Sequence, residues 1–184
     1  MTLHWCLMAR KPPRYDLPNA APEPLRIVQR FVNTIDISHD REWLTGWLDE
    51  EGLSSPSEPD LARARVVREA IRELLYANNG QAKGAAEPLP ALDAAAEAAR
   101  LTIDFGAGAL VPRAVGLDAA LGRVLVVCFE AMRDGSFGRL KCCRNVDCRW
   151  AFYDYSKNRS ATWCSMQICG NRTKTRAYRA RTHG

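Results

Sequence analysis

Two pairs of cysteines with the same internal spacing constrain this chain more than any other feature. Cys143 and Cys148 form one Cys-x4-Cys pair, Cys164 and Cys169 form a second, and fifteen residues separate the pairs. Zinc prefers four tetrahedral ligands and binds thiolates tightly, and two short loops with two sulfurs each satisfy that geometry without a large core. The spacing therefore predicts a structural Zn2+ site, and a module of only about 45 residues would depend on the metal for folding.

Cys142 lies next to Cys143 and leaves the register of the first pair open, because Cys142 and Cys148 would form a Cys-x5-Cys pair. The equal spacing of the two pairs favours Cys143 as the ligand. We then expect Cys142 to be packed rather than reactive. Four thiolates also close the coordination sphere, which predicts a structural rather than a catalytic metal.

Basic residues are concentrated in the same C-terminal quarter. From Arg139 to Gly184 there are eleven Lys and Arg against two acidic residues, whereas residues 1–138 hold fifteen basic and nineteen acidic ones. A strongly basic module on a mildly acidic body is typical of nucleic-acid binding through that module. The alternative is a solvated basic surface that aids solubility.

A basic helix is expected directly after the last cysteine. Gly170 would let the chain turn closely around the metal, and Arg172 would begin the helix. The predicted nucleic-acid contacts are Arg172, Lys174, Arg176, Arg179 and Arg181. Basic groups on so much of one helix would follow a phosphate backbone, with Arg172 and Arg176 as the candidates for reading bases. For Arg172, two other roles are equally favoured. It could form an ion pair with the body, or donate hydrogen bonds to a carbonyl of the zinc-binding loop.

Aromatic residues are dense between the two cysteine pairs. They are Trp150, Phe152, Tyr153, Tyr155 and Trp163. Packing as a small core around the metal is the favoured role, and base stacking is left open for a ring that proves exposed. Asp154 is interpreted as an acceptor for Asn158 or Arg159 that holds the long loop between the pairs.

The residues upstream predict a mainly α (α+β) protein. Apolar residues recur at helical spacing over 25–35 and 43–48, a capping-box-like Ser57 and Asp60 precede a long helix, and further helices are expected over 91–99 and 116–133. A small hairpin is predicted from 101–105 and 109–113. The expected domains are an extended or poorly ordered proline-rich 1–24, a helical 25–138 and a zinc module with a basic tail, 139–184.

The C-terminal motif resembles a known family. FYDYSKNRS followed by WCSMQICGNRTK is similar to the CGNR zinc finger, which takes its name from the segment matching Cys169-Gly170-Asn171-Arg172. Upstream, Phe31-Val32-Asn33-Thr34 followed by Trp43 to Leu48 resembles the opening of the ABATE domain, which usually precedes this finger. The resemblance implies a bacterial, stress-induced transcription regulator with a zinc-dependent DNA-binding end.

Two functions are carried forward from these features. The first is a DNA-binding regulator whose helical body senses a small-molecule effector or forms a homodimer. The alternative is an adaptor that binds protein or RNA without sequence-specific DNA recognition. Asn33 and Thr34 interrupt the apolar pattern, and hydrogen bonding at the helix end is their expected use.

An enzyme is not expected, because His4, His39 and His183 form no recognisable metal or triad arrangement. His39 is placed at the start of a helix, where histidine is usually structural. The N-terminus has an apolar patch before its first charges, the reverse of a secretory signal, and no apolar run approaches the roughly 20 residues that span a bilayer. We therefore expect a cytoplasmic protein with no membrane contact.

Overall fold

The computed structural model describes residues 19–81 and 88–182, and within them the chain forms six α-helices and three two-stranded antiparallel hairpins. The helices are α1 Arg26–Val32, α2 Leu44–Glu50, α3 Glu58–Asn78, α4 Pro88–Ala98, α5 Gly116–Asp134 and α6 Asn171–Thr182. The hairpins pair β1 Ile35–Asp36 with β2 Arg41–Glu42, β3 Leu101–Asp104 with β4 Ala109–Pro112, and β5 Leu140–Cys142 with β6 Ala151–Tyr153. The mainly helical class is confirmed.

The two long helices begin and end where local sequence signals place them. Ser57 and Asp60 form a reciprocal capping box at the start of α3, with the Ser57 amide 3.1 Å from Asp60 Oδ2. This box satisfies amides that would otherwise lack a partner in the first turn. At the other end of the body, α5 stops at Gly135, whose φ of 77° is a left-handed conformation that glycine adopts without strain.

Three local expectations were wrong or incomplete. Helix α4 begins at Pro88 rather than near Ala91. The segment with His39 forms the β1–β2 turn instead of a helix start, and His39 Nδ1 lies 2.8 Å from Asp36 Oδ2. A third hairpin, β5–β6, was also not anticipated. Short strands of two or three residues carry too little alternation to be recognised locally.

The body is built around α3 and α5, with α1, α2 and α4 packed against them. Phe31 of α1 meets Trp47 of α2 with ring centroids 4.7 Å apart, and Ile71 of α3 and Leu121 of α5 are buried in the same core. This core continues without interruption into the β5–β6 hairpin. No helix in the described part of the chain is long and apolar enough to cross a membrane.

The segment before α1 is packed against the C-terminal module. Ala21 is fully buried, and the carbonyl of Asn19 accepts a hydrogen bond from the Tyr153 amide at 2.9 Å. Residues 19–24 thus contain neither helix nor strand but have a fixed place on β6. The expectation of poor order for residues 1–18 lies outside the described residues.

Candidate metal centre and basic surface

Four buried sulfur atoms meet in the C-terminal module. The Sγ atoms of Cys143, Cys148, Cys164 and Cys169 all lie within 4.8 Å of one another. Cys164 Sγ lies 3.6 Å from Cys148 Sγ and 3.7 Å from Cys169 Sγ. A tetrahedral ion with metal–sulfur bonds near 2.3 Å requires sulfur–sulfur distances of about 3.8 Å. The donor set and its spacing therefore fit a closed four-thiolate metal site.

The β5–β6 hairpin separates Cys142 from Cys143. Successive side chains of a strand point to opposite faces. Cys142 accordingly packs in the core of the body, whereas Cys143 joins the sulfur cluster on the other face. Burial raises the pKa of Cys142 to about 12, so this thiol stays protonated and is packed rather than reactive.

Two loops of similar construction carry the sulfurs. In the first cysteine loop, residues 143–148, the carbonyl of Asn145 accepts from the Cys148 amide at 2.9 Å, and Asn145 Nδ2 approaches Cys169 Sγ at 3.8 Å. In the second cysteine loop, residues 164–169, the carbonyl of Ser165 accepts from the Cys169 amide at 2.9 Å. Each loop is thus closed on itself by backbone hydrogen bonds.

Gly170 follows the second cysteine loop at a close approach. A Cβ at this position would clash with the side chain of Met166 and would lie 3.3 Å from Cδ1 of Trp163. The backbone of Gly170 does not need a positive φ. Glycine here permits the close approach of the Met166 side chain and is not required by the backbone conformation.

Three of the four thiols shift one another's pKa. Hydrogen bonds from the thiols of Cys148 and Cys164 lower the pKa of Cys143 to about 4. The same contacts with Cys143 raise the pKa of Cys148 and of Cys164, because each would have to ionise beside an existing thiolate. A bound dication would stabilise the thiolate form of these side chains.

The aromatic residues between the loops divide into a buried and an exposed group. Trp150 and Phe152 are buried beside the four sulfurs, and Trp163 packs against them. Tyr153 is buried on the opposite face, in the core of the body. Tyr155 is 62% exposed, and its hydroxyl donates to the carbonyl of Ala20 at 2.7 Å. Core packing is thus the role of most of these rings.

Asp154 holds the loop between the cysteine pairs, through partners other than those expected. Its carboxylate accepts from Lys141 Nζ at 2.7 Å and from the amides of Ser156 and Ala161 at 2.9 and 3.0 Å. Lys141 also donates to the carbonyls of Arg159 and Ala161. Burial alone would raise the pKa of Asp154, but hydrogen bonds from Lys141 and Ser156 keep it below its usual value.

Helix α6 starts directly after the four-cysteine cluster and presents its cations to solvent. Arg172, Lys174 and Arg179 are exposed, and within residues 19–81 and 88–182 none of them has a hydrogen-bonded or ion-paired partner. Arg176 instead pairs with Asp147 of the first cysteine loop at 2.6 Å. The side chain of Arg181 lies outside the described residues. In the described part of the chain, Arg172 forms neither an ion pair with the body nor a hydrogen bond to a loop carbonyl, the two alternatives to nucleic-acid contact.

Polar side chains of the body fix the β5–β6 hairpin in place. Asn33 donates from Nδ2 to the carbonyl of Ala151 at 2.9 Å, and its Oδ1 accepts from the amide of Ala151 at 2.8 Å. On the other strand, Asn79 donates to the carbonyl of Cys142 at 2.6 Å. These side chains take the place of neighbouring strands for the outer backbone groups of a two-stranded sheet. Asn33 is also the C-cap of α1, as its expected place at a helix end implies, but its bonds to Ala151 were not anticipated.

Helix α3 supplies a further buried link. Arg72, almost wholly buried, donates to the carbonyl of Arg149 at 2.8 Å and to that of Val32 at 2.6 Å. It thus joins the end of α1 to the residue that follows the first cysteine loop. Thr34 has the expected helix-end bond, from Oγ1 to the carbonyl of Phe31 at 2.8 Å. The bonds of Arg72 were not predicted. The number of polar residues on α1 and α3 is the one feature of the sequence that could have indicated them.

Comparison with known families agrees with this architecture. Residues 139–182 match the model of the CGNR zinc finger. Fold and site together therefore define a helical protein that carries a four-cysteine zinc finger at its C-terminal end. Residues 25–134 match the ABATE model, described as "Putative stress-induced transcription regulator". This match covers more than half of the chain, and the protein belongs to the ABATE family. No curated protein matches the chain.

The two matches confirm both family resemblances and their order along the chain. Neither family is a family of enzymes. The described part of the chain contains no further group of three or more metal-ligating side chains besides the four cysteines.

Proposed function

We propose that the protein is a zinc-dependent, DNA-binding transcription regulator that works in the cytoplasm. In this proposal Cys143, Cys148, Cys164 and Cys169 hold one structural zinc ion, and α6 contacts the phosphate backbone. When bound, the zinc ion supplies a cross-link between the two cysteine loops and the charge that balances four thiolates. The helical body then serves as a sensor or as a dimerisation domain.

The observation that supports nucleic-acid contact best is the position of the free cations. Arg172, Lys174 and Arg179 project from a helix that has no acidic residue of its own, and that helix is anchored at the metal cluster. Exposed cations on one fixed helix neutralise phosphates and release counterions. Arg176 can contact a phosphate only after its ion pair with Asp147 breaks. Arg181 completes the proposed set.

The zinc site is tested by elemental analysis of the purified full-length chain. We expect one zinc ion per chain in the wild type and none retained in Cys164→Ser after mild chelation, because three thiolates bind the ion less tightly. Cys128→Ser is the matched control, since Cys128 is buried in α5 away from the sulfur cluster. Zinc that stays unchanged in Cys164→Ser would contradict the proposed ligand set.

The nucleic-acid surface is tested by fluorescence anisotropy with a labelled DNA duplex over a range of salt concentrations. A triple variant, Arg172→Gln with Lys174→Gln and Arg179→Gln, should lower the slope of log affinity against log salt by about 3, since each phosphate contact contributes about 0.9. The matched control removes three exposed cations from the body. It carries Arg41→Gln, Arg63→Gln and Arg133→Gln. Equal losses in the two triple variants would refute a specific role for α6.

A second candidate function, an adaptor for protein or RNA, is favoured by exposed apolar residues on both cysteine loops. Val146 lies on the first loop, and Met166 and Ile168 lie on the second, all with large exposed fractions. Apolar exposure of this kind is typical of protein contact. Single-stranded RNA of the same length, used in the same anisotropy assay, distinguishes the DNA-binding regulator from the adaptor. Tighter binding to RNA than to DNA, or an affinity that does not change with salt, would favour the adaptor.

A further inference from the structure

A tight turn in the segment between the two cysteine pairs carries two exposed cations. The amide of Arg159 donates to the carbonyl of Ser156 at 3.2 Å, which closes a turn over residues 156–159, named here the basic turn. Lys157 and Arg159 are exposed, and neither side chain has a hydrogen-bonded or ion-paired partner in the described part of the chain. Both cations are therefore available to an anion from outside the protein.

The basic turn is held in place through its backbone. The Ser156 amide donates to Asp154 Oδ1 at 2.9 Å, and the Ser156 carbonyl accepts from Arg139 Nη1 at 3.0 Å. The carbonyl of Arg159 accepts from Lys141 Nζ at 2.6 Å. Because these bonds use main-chain atoms of the turn, its exposed cationic side chains are not needed to close it. A contact surface on a backbone that is already fixed loses less conformational entropy on binding.

The backbone conformation of Arg159 is unfavourable for arginine. Its φ is 51°, in the left-handed region that glycine, and to a lesser extent asparagine, occupies most readily. A turn that only linked the two cysteine pairs would be more stable with one of those residues. No hydrogen bond or ion pair of the Arg159 side chain to the described residues offsets this cost.

Two other arginines in the described part of the chain have a positive φ, and both use their side chains within the structure. Arg100, with φ of 50°, donates from Nη2 to the carbonyl of Arg113 at 2.6 Å. Arg149, with φ of 53°, donates from Nε to Tyr76 Oη at 2.7 Å. Arg159 has no such contact, so the fold does not account for arginine at this position. A role of its charge in binding does.

The basic turn and α6 are both attached to the four-cysteine cluster. Ala161, two residues after Arg159, packs against the cluster, and α6 begins two residues after Cys169. At about 3.6 Å per residue, each basic segment starts within about 7 Å of a residue in or against this cluster. Duplex DNA carries one negative charge per about 1.7 Å of its axis. A single duplex can therefore offer phosphates to both segments at once.

We propose that the basic turn is a second contact with the phosphate backbone of duplex DNA, in which Lys157 and Arg159 bind phosphates beside those bound by α6. This inference rests on the proposed DNA-binding function and adds a contact separate from α6. Residues 156–160 read SKNRS and include no apolar side chain. A protein partner is disfavoured for that reason, since the centre of a protein interface is apolar. Cations with neighbouring hydroxyl and amide groups are instead typical of phosphate contacts.

The test measures the anisotropy of a labelled DNA duplex with the full-length, zinc-loaded protein over a range of salt concentrations. The double variant Lys157→Gln with Arg159→Asn should lower the slope of log affinity against log salt by about 2, since each phosphate contact contributes about 0.9. Asparagine tolerates the φ of position 159, so the urea midpoint of Arg159→Asn should be no lower than that of the wild type.

The matched control is Arg41→Gln with Arg100→Asn. It removes two exposed cations from the body, one of them at the same backbone conformation as Arg159, and should leave the slope unchanged. Equal losses of slope in the two double variants would overturn the proposal. A markedly lower urea midpoint for Arg159→Asn would also overturn it, because the fold would then require arginine at this position.

Failure of this inference is distinguishable from failure of the proposed function. If the triple variant of α6 lowers the slope and the double variant of the basic turn does not, α6 binds DNA alone and the second contact is refuted. If the wild type does not bind duplex DNA, the proposed function and the second contact are both refuted. A double variant that loses affinity for single-stranded RNA but not for the duplex would likewise overturn the proposal, since the turn would then contact a different partner.

Discussion

Replacement of Asp154 by Asn is expected to destabilise the protein strongly, although the change removes only one charge. Asp154 is wholly buried, and the side chain of its partner Lys141 is only 5% exposed. Removal of one member of a buried ion pair costs about 3–5 kcal/mol, because the remaining charge loses its partner in a poorly solvated site. Lys141 keeps two carbonyl acceptors, those of Arg159 and Ala161. We therefore expect a loss near the lower end, about 3 kcal/mol.

The measurement is urea unfolding followed by tryptophan fluorescence, at neutral pH and a fixed excess of free zinc. Because its folded pKa is lowered, Asp154 contributes stability above the ordinary aspartate value of 3.8, and this contribution is lost as the pH falls below it. Neutral pH thus reports the full effect. Asp147→Asn is the matched control, since Asp147 pairs with Arg176 on the surface and such a pair is worth about 0–1 kcal/mol.

Two results would refute this reasoning. The first is a loss in Asp154→Asn that equals the small loss in Asp147→Asn. The second concerns coupling: Lys141→Met should cost less free energy of unfolding in the Asp154→Asn background than in the wild type. Equal costs in both backgrounds would mean that the two side chains do not stabilise each other.

Three further predictions concern the finger and its contact with the body. Cys142→Ala should leave one zinc ion per chain in elemental analysis, because Cys142 faces the core of the body; loss of zinc would mean that the first pair uses the other cysteine. Asn33→Ala should lower the free energy of unfolding by about 1–3 kcal/mol in urea titrations, since the Ala151 amide loses a buried partner; an unchanged midpoint would contradict this. Asp147→Asn should free Arg176 and steepen the salt dependence of DNA binding by about 1, and an unchanged slope would exclude Arg176 from phosphate contact.

Local sequence signals were sufficient for the features that depend on neighbouring residues. The capping box at Ser57, the stop at Gly135 and the β3–β4 hairpin each rest on contacts within a few positions. The cysteine spacing belongs to the same class, because a short loop brings the two sulfurs of each pair together. These features could be read because their physical cause lies within one turn or one loop.

Contacts between distant residues were not accessible in this way. Asn33 and Ala151 are 118 positions apart, and nothing in the pattern around Asn33 distinguishes a helix-end bond from a bond to a remote strand. The partners of Asp154 were mistaken for a related reason, since Lys141 reaches it across the β5–β6 ladder rather than along the chain.

The sequence by itself determined a mainly helical protein with two cysteine pairs and a basic C-terminal helix, because spacing, periodicity and charge are properties of the chain. Tertiary structure alone decided how these parts are joined. The β5–β6 hairpin turns one face to the core of the body and the other to the sulfur cluster, so Cys142 and Cys143 end in different environments. Strand alternation and long-range packing together place the two cysteines in these environments. The sequence shows the alternation but not the packing.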